Sequence, residues 1–167
     1  MGKANLFPDF RELLESLNSA GVKYLILGGY AVNYYGYRRA TDDLDVWIAI
    51  DSENTQKLSS ALQDFGGFPA AKVKASMFQK RGMIFMFGRE PVRVDILTEV
   101  SALDFEASYA RRQMADWDGV QVPLVSFDDL KTNKRSSGRA KDLADLENLP
   151  AQWPERGPSR RRKGKRP

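Results

Sequence analysis

Two aspartates separated by one residue open an apolar run of this sequence. Asp43 and Asp45 precede residues 46–50, which are all hydrophobic. Side chains at positions i and i+2 of a strand point to the same face. Two carboxylates on one face repel each other unless something neutralises them, and their oxygens suit hard divalent cations. The pair predicts a cation site, with a solvated strand entrance as the alternative.

A third aspartate lies in a second apolar segment. Asp95 interrupts the hydrophobic residues of the segment 92–97, where an ionised carboxylate is costly to bury without a partner. If this segment lies beside the strand of Asp43 and Asp45, three carboxylates converge in an arrangement that suits Mg2+ or Mn2+. The alternative partner of Asp95 is Arg93, provided that both side chains face solvent.

The order of elements before these aspartates predicts an anion-binding turn. Residues 22–27 read as a compact apolar strand, Gly28 and Gly29 follow it, and residues 30–35 read as a short helix that Gly36 can end. Glycine lets backbone N–H groups approach phosphate oxygens, and a helix N-terminus favours an anion. Because a Gly-Gly pair also makes ordinary turns, the prediction depends on the order strand, glycines, helix.

A second group of charged residues surrounds Gly138, where a helix break is expected. Lys134 and Arg139 could meet a triphosphate there, and the acids Asp142 and Asp145 could orient them. The alternative is a solvated helix face with ordinary ion pairs at i, i+3 and i+4 spacing. We expect phosphate contact for Lys134 and Arg139, and an ordinary pair of Asp145 with the lysine four residues before it, Lys141.

Both groups belong to longer motifs that resemble a known family. The first motif covers residues 28–31 and 35–45, and the second covers residues 126–130 and 134–146. Together they resemble the DNA polymerase β-type nucleotidyltransferase superfamily, in particular the small stand-alone bacterial proteins related to AbiEii-type toxins. The resemblance extends to about residue 149. Two positions depart from the pattern, since many relatives have His in place of Tyr35 and Ser in place of Gly29.

The resemblance implies metal-dependent transfer of a nucleoside monophosphate from an NTP to an acceptor hydroxyl. It assigns the catalytic and metal-binding roles, with Mg2+ or Mn2+ as cofactor, to Asp43, Asp45 and Asp95. It assigns nucleotide binding to Gly28, Gly29, Arg39, Thr41, Lys134 and Arg139. RNA is the acceptor expected of a toxin-like enzyme, with an antitoxin protein as a further partner. The alternatives are a small-molecule acceptor, as in antibiotic-modifying relatives, and a non-catalytic member that binds nucleotide or a partner.

Composition narrows the chemistry. The 167 residues include neither histidine nor cysteine, which excludes histidine-dependent catalysis, thiolate zinc sites and disulfides. An enzyme made of this sequence must therefore rely on carboxylates and hard cations. The first residues do not resemble an export signal and no apolar run reaches membrane-spanning length, so we expect a cytoplasmic protein without membrane contact.

The positive charge is concentrated at the C-terminus. The whole chain carries a net charge of +4. Between Glu155 and Pro167 seven basic residues stand against one acid, which gives this segment +6 and leaves −2 for the rest. We predict a nucleotidyltransferase domain over residues 1–150 and a basic, disordered tail over residues 151–167 that contacts RNA phosphates. The alternative is a solubilising terminus.

The predicted elements give an α/β (α+β) fold, a mixed β-sheet with packed helices. Residues 66–81 are expected to form a mobile loop over the site. We expect helices over residues 8–19, 29–35, 52–65 and 103–115, two further helices on either side of Gly138, and strands over residues 23–28, 43–50, 82–88, 92–98 and 119–125.

Overall fold

The computed structural model describes residues 6–65 and 73–153, which contain six strands, six α-helices and one 3-10 helix. The strands are β1 (Tyr24–Leu27), β2 (Asp43–Ile48), β3 (Ile84–Arg89), β4 (Val92–Leu97), β5 (Gln113–Trp117) and β6 (Val120–Leu124). The α-helices are α1 (Pro8–Ser19), α2 (Gly28–Tyr34), α3 (Ser52–Phe65), α4 (Phe105–Ala110), α5 (Phe127–Ser137) and α6 (Ala140–Asn148), and a 3-10 helix, η1, covers Ala75–Gln79.

The strands form one mixed sheet in the order β3-β4-β2-β1-β6-β5. Strand β1 pairs antiparallel with β2 and parallel with β6, and β2 pairs parallel with β4. The strands β3 and β5 form the two edges, each paired antiparallel with its neighbour. The predicted fold class, a mixed sheet with packed helices, is confirmed.

Helix α1 shows how the hydrophobic pattern produces the packing. Phe10, Leu13, Leu14 and Leu17 recur at helical spacing and are all buried. Pro8 begins the helix, where its missing N–H costs no hydrogen bond. Each buried side chain of this size contributes about 1.5–3 kcal/mol relative to an exposed one, so this face attaches the helix firmly to the core.

The helix expected over residues 103–115 is wrong beyond Ala110. Helix α4 ends there, and residues 113–117 form β5 instead. Asp118 and Gly119, both with positive φ, connect β5 to β6 in a two-residue hairpin. Asp-Gly is a preferred pair for such a turn, and the alternating burial of Ala115 and Trp117 fits a strand with one face in the core.

The predicted mobile loop over residues 66–81 is wrong for its second half. Residues 75–79 form η1, and Phe78 is completely buried against the Phe85 ring. Residues 66–72 lie outside the described part of the chain. Phe78 thus holds its segment on the sheet.

Helices long and apolar enough to cross a membrane do not occur within residues 6–65 and 73–153.

Candidate active site

The three predicted aspartates meet on one face of the sheet. Strand register pairs Asp45 with Leu27 on one side and with Asp95 on the other. Asp43 lies two residues before Asp45 and therefore points to the same face. One carboxylate oxygen from each of the three aspartates lies within 4.8 Å of the others. This spacing fits a shared divalent cation, and an all-carboxylate set of donors suits Mg2+ or Mn2+.

Burial and the closeness of these carboxylates raise the pKa values of two of them. Burial raises the pKa of Asp45 to about 8, with further increases from the charges of Asp43 and Asp95, and the nearby Lys134 opposes the shift. Burial also raises the pKa of Asp95, although its hydrogen bond from Arg93 acts in the opposite direction. Three carboxylates held this close favour any arrangement that brings positive charge among them.

Arg93 supplies part of that charge, as the alternative partner considered for Asp95. Its Nε donates to Asp95 Oδ1 at 2.9 Å, and Nη2 donates to Asp95 Oδ2 and Asp43 Oδ2, both at 3.1 Å. A third nitrogen, Nη1, bonds Glu90 at 3.2 Å. Arg93 can reach Asp43 because the two residues are register partners on neighbouring parallel strands. Sequence reasoning considered Arg93 only as an alternative, and its bond to Asp43 was missed.

The glycine turn packs directly against the aspartates. Gly28 has φ +68° and begins α2 immediately after β1. A Cβ on Gly28 would overlap the Asp45 carboxylate, lying 2.9 Å from its Cγ, and a Cβ on Gly29 would lie 2.7 Å from Thr41 Cβ. Only glycine allows so close an approach. The predicted order of strand, glycines and helix therefore places backbone N–H groups beside the carboxylate cluster.

Arg39 and Thr41 fix the loop that leads into β2. The Arg39 guanidinium forms a bidentate pair with Asp145, at 2.7 and 2.9 Å, and its backbone N–H donates to Asn33 Oδ1. The Thr41 hydroxyl donates to the backbone carbonyl of Asp43 at 3.3 Å. The structure thus places both residues next to the glycine turn, with the Arg39 fork bound to helix α6.

Lys134 is the centre of a buried ionic network between α5 and α6. Its ammonium bonds Asp142 at 3.0 Å and Asp145 at 2.9 Å. Asp142 also accepts from the Ser137 hydroxyl and from Arg139 Nε. Burial by itself would raise the pKa of Asp142, but the hydrogen bonds from Ser137, Arg139 and Lys134 outweigh it and lower the pKa to about 2. The carboxylates therefore stay ionised and hold these cations in fixed positions.

The predicted pair of Lys141 with Asp145 is wrong. Both carboxylate oxygens of Asp145 are bound by Arg39 and Lys134, and Lys141 is exposed without an ion pair among the described residues. A buried carboxylate gains more from two partly desolvated cations than from one solvated lysine.

A cleft of about 270 Å³ joins the two halves of the site. Its residues come from the end of β1 and the start of α2, from β2 and the edge strand β3, from the end of β4 with the loop after it, and from α5 with the loop that follows. Four of the residues that the sequence predicts to bind nucleotide or metal line the cleft: Gly28, Asp45, Lys134 and Arg139. Sequence reasoning missed Ser101, Asn133 and Ser137, because polar residues in loops and helix ends carry no spacing signal of their own.

Tyr35, one of the two positions that depart from the pattern of the resemblance, faces the core. Its ring is fully buried and its hydroxyl donates to the Val125 carbonyl at 2.6 Å. The rings of Tyr34, Phe127 and Trp153 pack around it. Trp153 belongs to the predicted tail and contacts the domain here, whereas residues 154–167 lie outside the described part of the chain.

Comparison with known proteins identifies a family for the sequence and a similar fold among solved structures. Residues 9–149 match the model of a family described as aminoglycoside-2''-adenylyltransferase. A candidate nucleotidyltransferase from Thermotoga maritima has a similar structure, with a TM-score of 0.52 and 13% identity over 83% of this chain and 88% of its own. An antigenic nucleotidyltransferase-like protein from Paracoccidioides brasiliensis gives 0.48 and 18% identity, over 81% of this chain and 69% of its own.

No curated protein matches the sequence. The relationship to AbiEii-type toxins stays a prediction, since none of the proteins named above carries that description. The model match spans the glycine turn, the three aspartates and the α5–α6 network. The chain therefore belongs to the aminoglycoside-2''-adenylyltransferase family, within the nucleotidyltransferase superfamily.

Proposed function

We propose that the protein is a metal-dependent nucleotidyltransferase that moves a nucleoside monophosphate from an NTP to an acceptor hydroxyl. The observation that carries the proposal is the convergence of Asp43, Asp45 and Asp95 within 4.8 Å, beside a glycine turn and at one end of a cleft lined by Lys134 and Arg139. Carboxylates that hold a cation and cations that bind phosphate are the two components such a transfer requires.

In the proposed reaction the acceptor oxygen forms a bond to the α-phosphorus of the NTP. The bond between that phosphorus and the oxygen bridging to the β-phosphate breaks, and pyrophosphate leaves with the electron pair. Asp95 helps to accept the hydroxyl proton, which passes on to solvent. Lys134 and Arg139 bind the phosphates, and the backbone of Gly28 and Gly29 cradles them.

Asp43, Asp45 and Asp95 are the residues that would hold Mg2+ or Mn2+. A bound divalent cation supplies charge neutralisation at the phosphates and makes the acceptor hydroxyl more acidic. Arg39 and Thr41 position the loop before β2, as their bonds to Asp145 and to the Asp43 backbone suggest.

Two acceptor classes have support from different observations. The description of the matched family names an aminoglycoside adenylyltransferase, which favours a small hydroxylated acceptor and ATP as donor. The basic residues between Glu155 and Pro167 favour RNA. The toxin-like interpretation, with an antitoxin partner in the cytoplasm, follows the second class. A non-catalytic nucleotide-binding protein is the rival, and it would have little need of three intact carboxylates.

The test is transfer of label from each α-labelled NTP, with Mg2+ or Mn2+, to total RNA or to an aminoglycoside. We expect transfer by the wild type and by the exposed neighbour variant Asp42→Ala. Asp43→Ala and Asp45→Ala should be at least about 100-fold slower, because each removes several kcal/mol of charge stabilisation. Undiminished transfer by Asp43→Ala would overturn the assignment, and metal-dependent nucleotide binding without transfer would favour the non-catalytic rival.

A further inference from the structure

The edge strand beside the carboxylates exposes apolar side chains on the active-site face. Ile84 and Met86 are 56% and 66% exposed. Their register partners on β4 are Leu97 and Asp95, and register partners share a face at a Cβ separation of about 5 Å. Met86 therefore lies immediately beside the third carboxylate, and Ile84 lines the far wall of the cleft.

The segment that forms this edge is rich in basic residues, although the structure also places the acid Glu99 beside Gly82 and Ile84. Residues 73–93 contain five basic residues and one acid, a net charge of +4, whereas the chain outside the C-terminal segment is slightly acidic overall. Arg93 is engaged with the aspartates. The other four are exposed and form no ion pair with any residue that the structure describes: Lys74, Lys80, Arg81 and Arg89.

The direction of the proposed reaction assigns this edge to the acceptor. Gly28 follows β1, and β2 and β4 separate β1 from β3 in the sheet. The predicted phosphate-binding cations Lys134 and Arg139 line the cleft together with Gly28. The attacking and leaving oxygens lie roughly in line during phosphoryl transfer. With pyrophosphate leaving on the side of β1, the acceptor approaches from the side of β3.

We propose that the β3 edge, defined as residues 74–89, is the docking surface for the acceptor, and that the acceptor is the 3′ end of a single-stranded RNA. The inference depends on the proposed function and names its acceptor. Free cations suit the phosphate backbone, and exposed methionine and isoleucine side chains suit the flat faces of bases. The hydroxyl of the terminal ribose is then the group that attacks the α-phosphorus.

Charge argues against the other occupants of this surface. An aminoglycoside carries several ammonium groups, which the four free cations of the edge would repel. A second copy of the chain paired strand to strand would bring two edges of like positive charge together, and charged residues on edge strands oppose such pairing. A polyanion with aromatic faces is the partner that satisfies both the charge and the apolar side chains.

The test measures binding of a 5′-fluorescein single-stranded RNA of about 20 nucleotides, longer than one typical single-strand site, by anisotropy across a range of salt concentrations, with the full chain. The variant Lys80→Gln/Arg81→Gln removes two edge cations. Its matched control, Lys23→Gln/Arg112→Gln, removes two cations that lie around Tyr109, next to the start of β1. If two fewer phosphates are neutralised, the slope of log affinity against log salt falls by about 1.4. We expect that change for the edge variant and none for the control.

A second variant tests the apolar component. Met86→Thr removes an apolar contact with the bases, so it should weaken RNA binding several-fold. Because threonine suits a strand and the charges are unchanged, the salt slope should stay the same. Mn2+-dependent nucleotide binding, followed separately, should be the same in the wild type and in Lys80→Gln/Arg81→Gln.

Three results would overturn the docking surface: no RNA binding by the wild type, an equal slope in the edge variant and the wild type, or a concentration-dependent dimer that Lys80→Gln/Arg81→Gln alters. Each leaves nucleotide transfer standing if Mn2+-dependent nucleotide binding is intact. Absence of that binding in the wild type would instead contradict the proposed function and, with it, the acceptor role of the edge.

Discussion

At the scale of single residues, the ionised carboxylate of Asp45 is expected to lower the free energy of unfolding of the protein. Its folded pKa is about 8, raised first by burial and then by Asp43 and Asp95. When the pKa of a carboxyl group is higher in the folded state than in the unfolded state, where it is about 4, the group does not lower the stability of the protein below pH 4. The free energy of unfolding then falls as the pH rises from about 4 toward 8. Asp45→Asn should therefore raise the free energy of unfolding at pH 7.5 in EDTA, and the gain should shrink at pH 4.

Thermal unfolding measures this difference. For a domain of this size 1 kcal/mol corresponds to about 2–4 °C, and we expect the Asp45→Asn variant to melt at least that much higher in EDTA. The matched change at the exposed neighbour, Asp42→Asn, should leave the melting temperature unchanged. Added Mg2+ should stabilise the wild type and not Asp45→Asn. A variant that melts lower than the wild type at pH 7.5 would show that the carboxylate is not under strain.

The aspartates and glycines could be predicted from sequence because local rules position them. The two-residue period of a strand puts Asp43 and Asp45 on one face, and only the adjacency of β4 had to be assumed for Asp95. The partners of the cations could not be predicted in the same way. Arg93 reaches Asp43 across 50 positions of sequence, and Arg39 reaches Asp145 across 106. Such pairs depend on register and helix docking, which periodicity does not contain.

At the scale of elements, the connection from β1 to α2 is expected to be intolerant of any side chain. Gly28 and Gly21 have nearly equal φ values, +68° and +71°, but a Cβ on Gly21 meets nothing within 4 Å. Alanine at either position should cost about 1–2 kcal/mol of backbone strain. Only Gly28→Ala should also displace the Asp45 carboxylate and abolish Mn2+-dependent nucleotide binding.

Calorimetry of unfolding and of nucleotide binding, run on both variants, separates the two effects. A decrease in stability in both variants that is larger in Gly28→Ala, with nucleotide binding abolished only in Gly28→Ala, would support the close approach as the reason for the glycine. Intact nucleotide binding in Gly28→Ala would mean that the turn can move away from Asp45, and the anion cradle would then have no structural basis.

The elements differed in how well their sequences revealed them. Helices α1 and α3 have the predicted bounds, because a long apolar stripe at helical spacing is hard to mistake. Strand β5 is five residues long and follows a short helix, so its alternation was interpreted as the continuation of that helix. The Asp118-Gly119 turn was the signal that could have corrected it.

At the scale of the whole molecule, the sheet order determines where substrates can lie. The antiparallel pairing of β1 with β2 and the parallel pairing of β2 with β4 bring the glycine turn and Asp95 to opposite sides of Asp45. That order depends on pairing between segments far apart in sequence, and the fold class alone did not specify it. It turns a set of residues into a site with a phosphate side and an acceptor side.

The same scale gives the last prediction, which concerns the basic segment after Glu155. If RNA is the acceptor, the seven cations of residues 155–167 and those of the β3 edge bind one polyanion. Deleting residues 155–167 should lower the salt slope of RNA binding by about 0.7 for each phosphate that the segment neutralises. If the segment neutralises three or more phosphates, the deletion should lower the slope by more than the edge variant does. A full-length chain with those seven residues changed to Gln is the matched control for length.

Equal slopes in the deletion and in the neutralised chain would mean that charge is the contribution of the segment. An unchanged slope in both would contradict the RNA-contacting tail. In that case the cations of the β3 edge would have to bind the phosphates without help from the segment. The change Lys80→Gln/Arg81→Gln should then remove a larger fraction of the salt slope than it would if the segment also bound phosphates. The two sets of variants therefore determine which part of the molecule binds the acceptor.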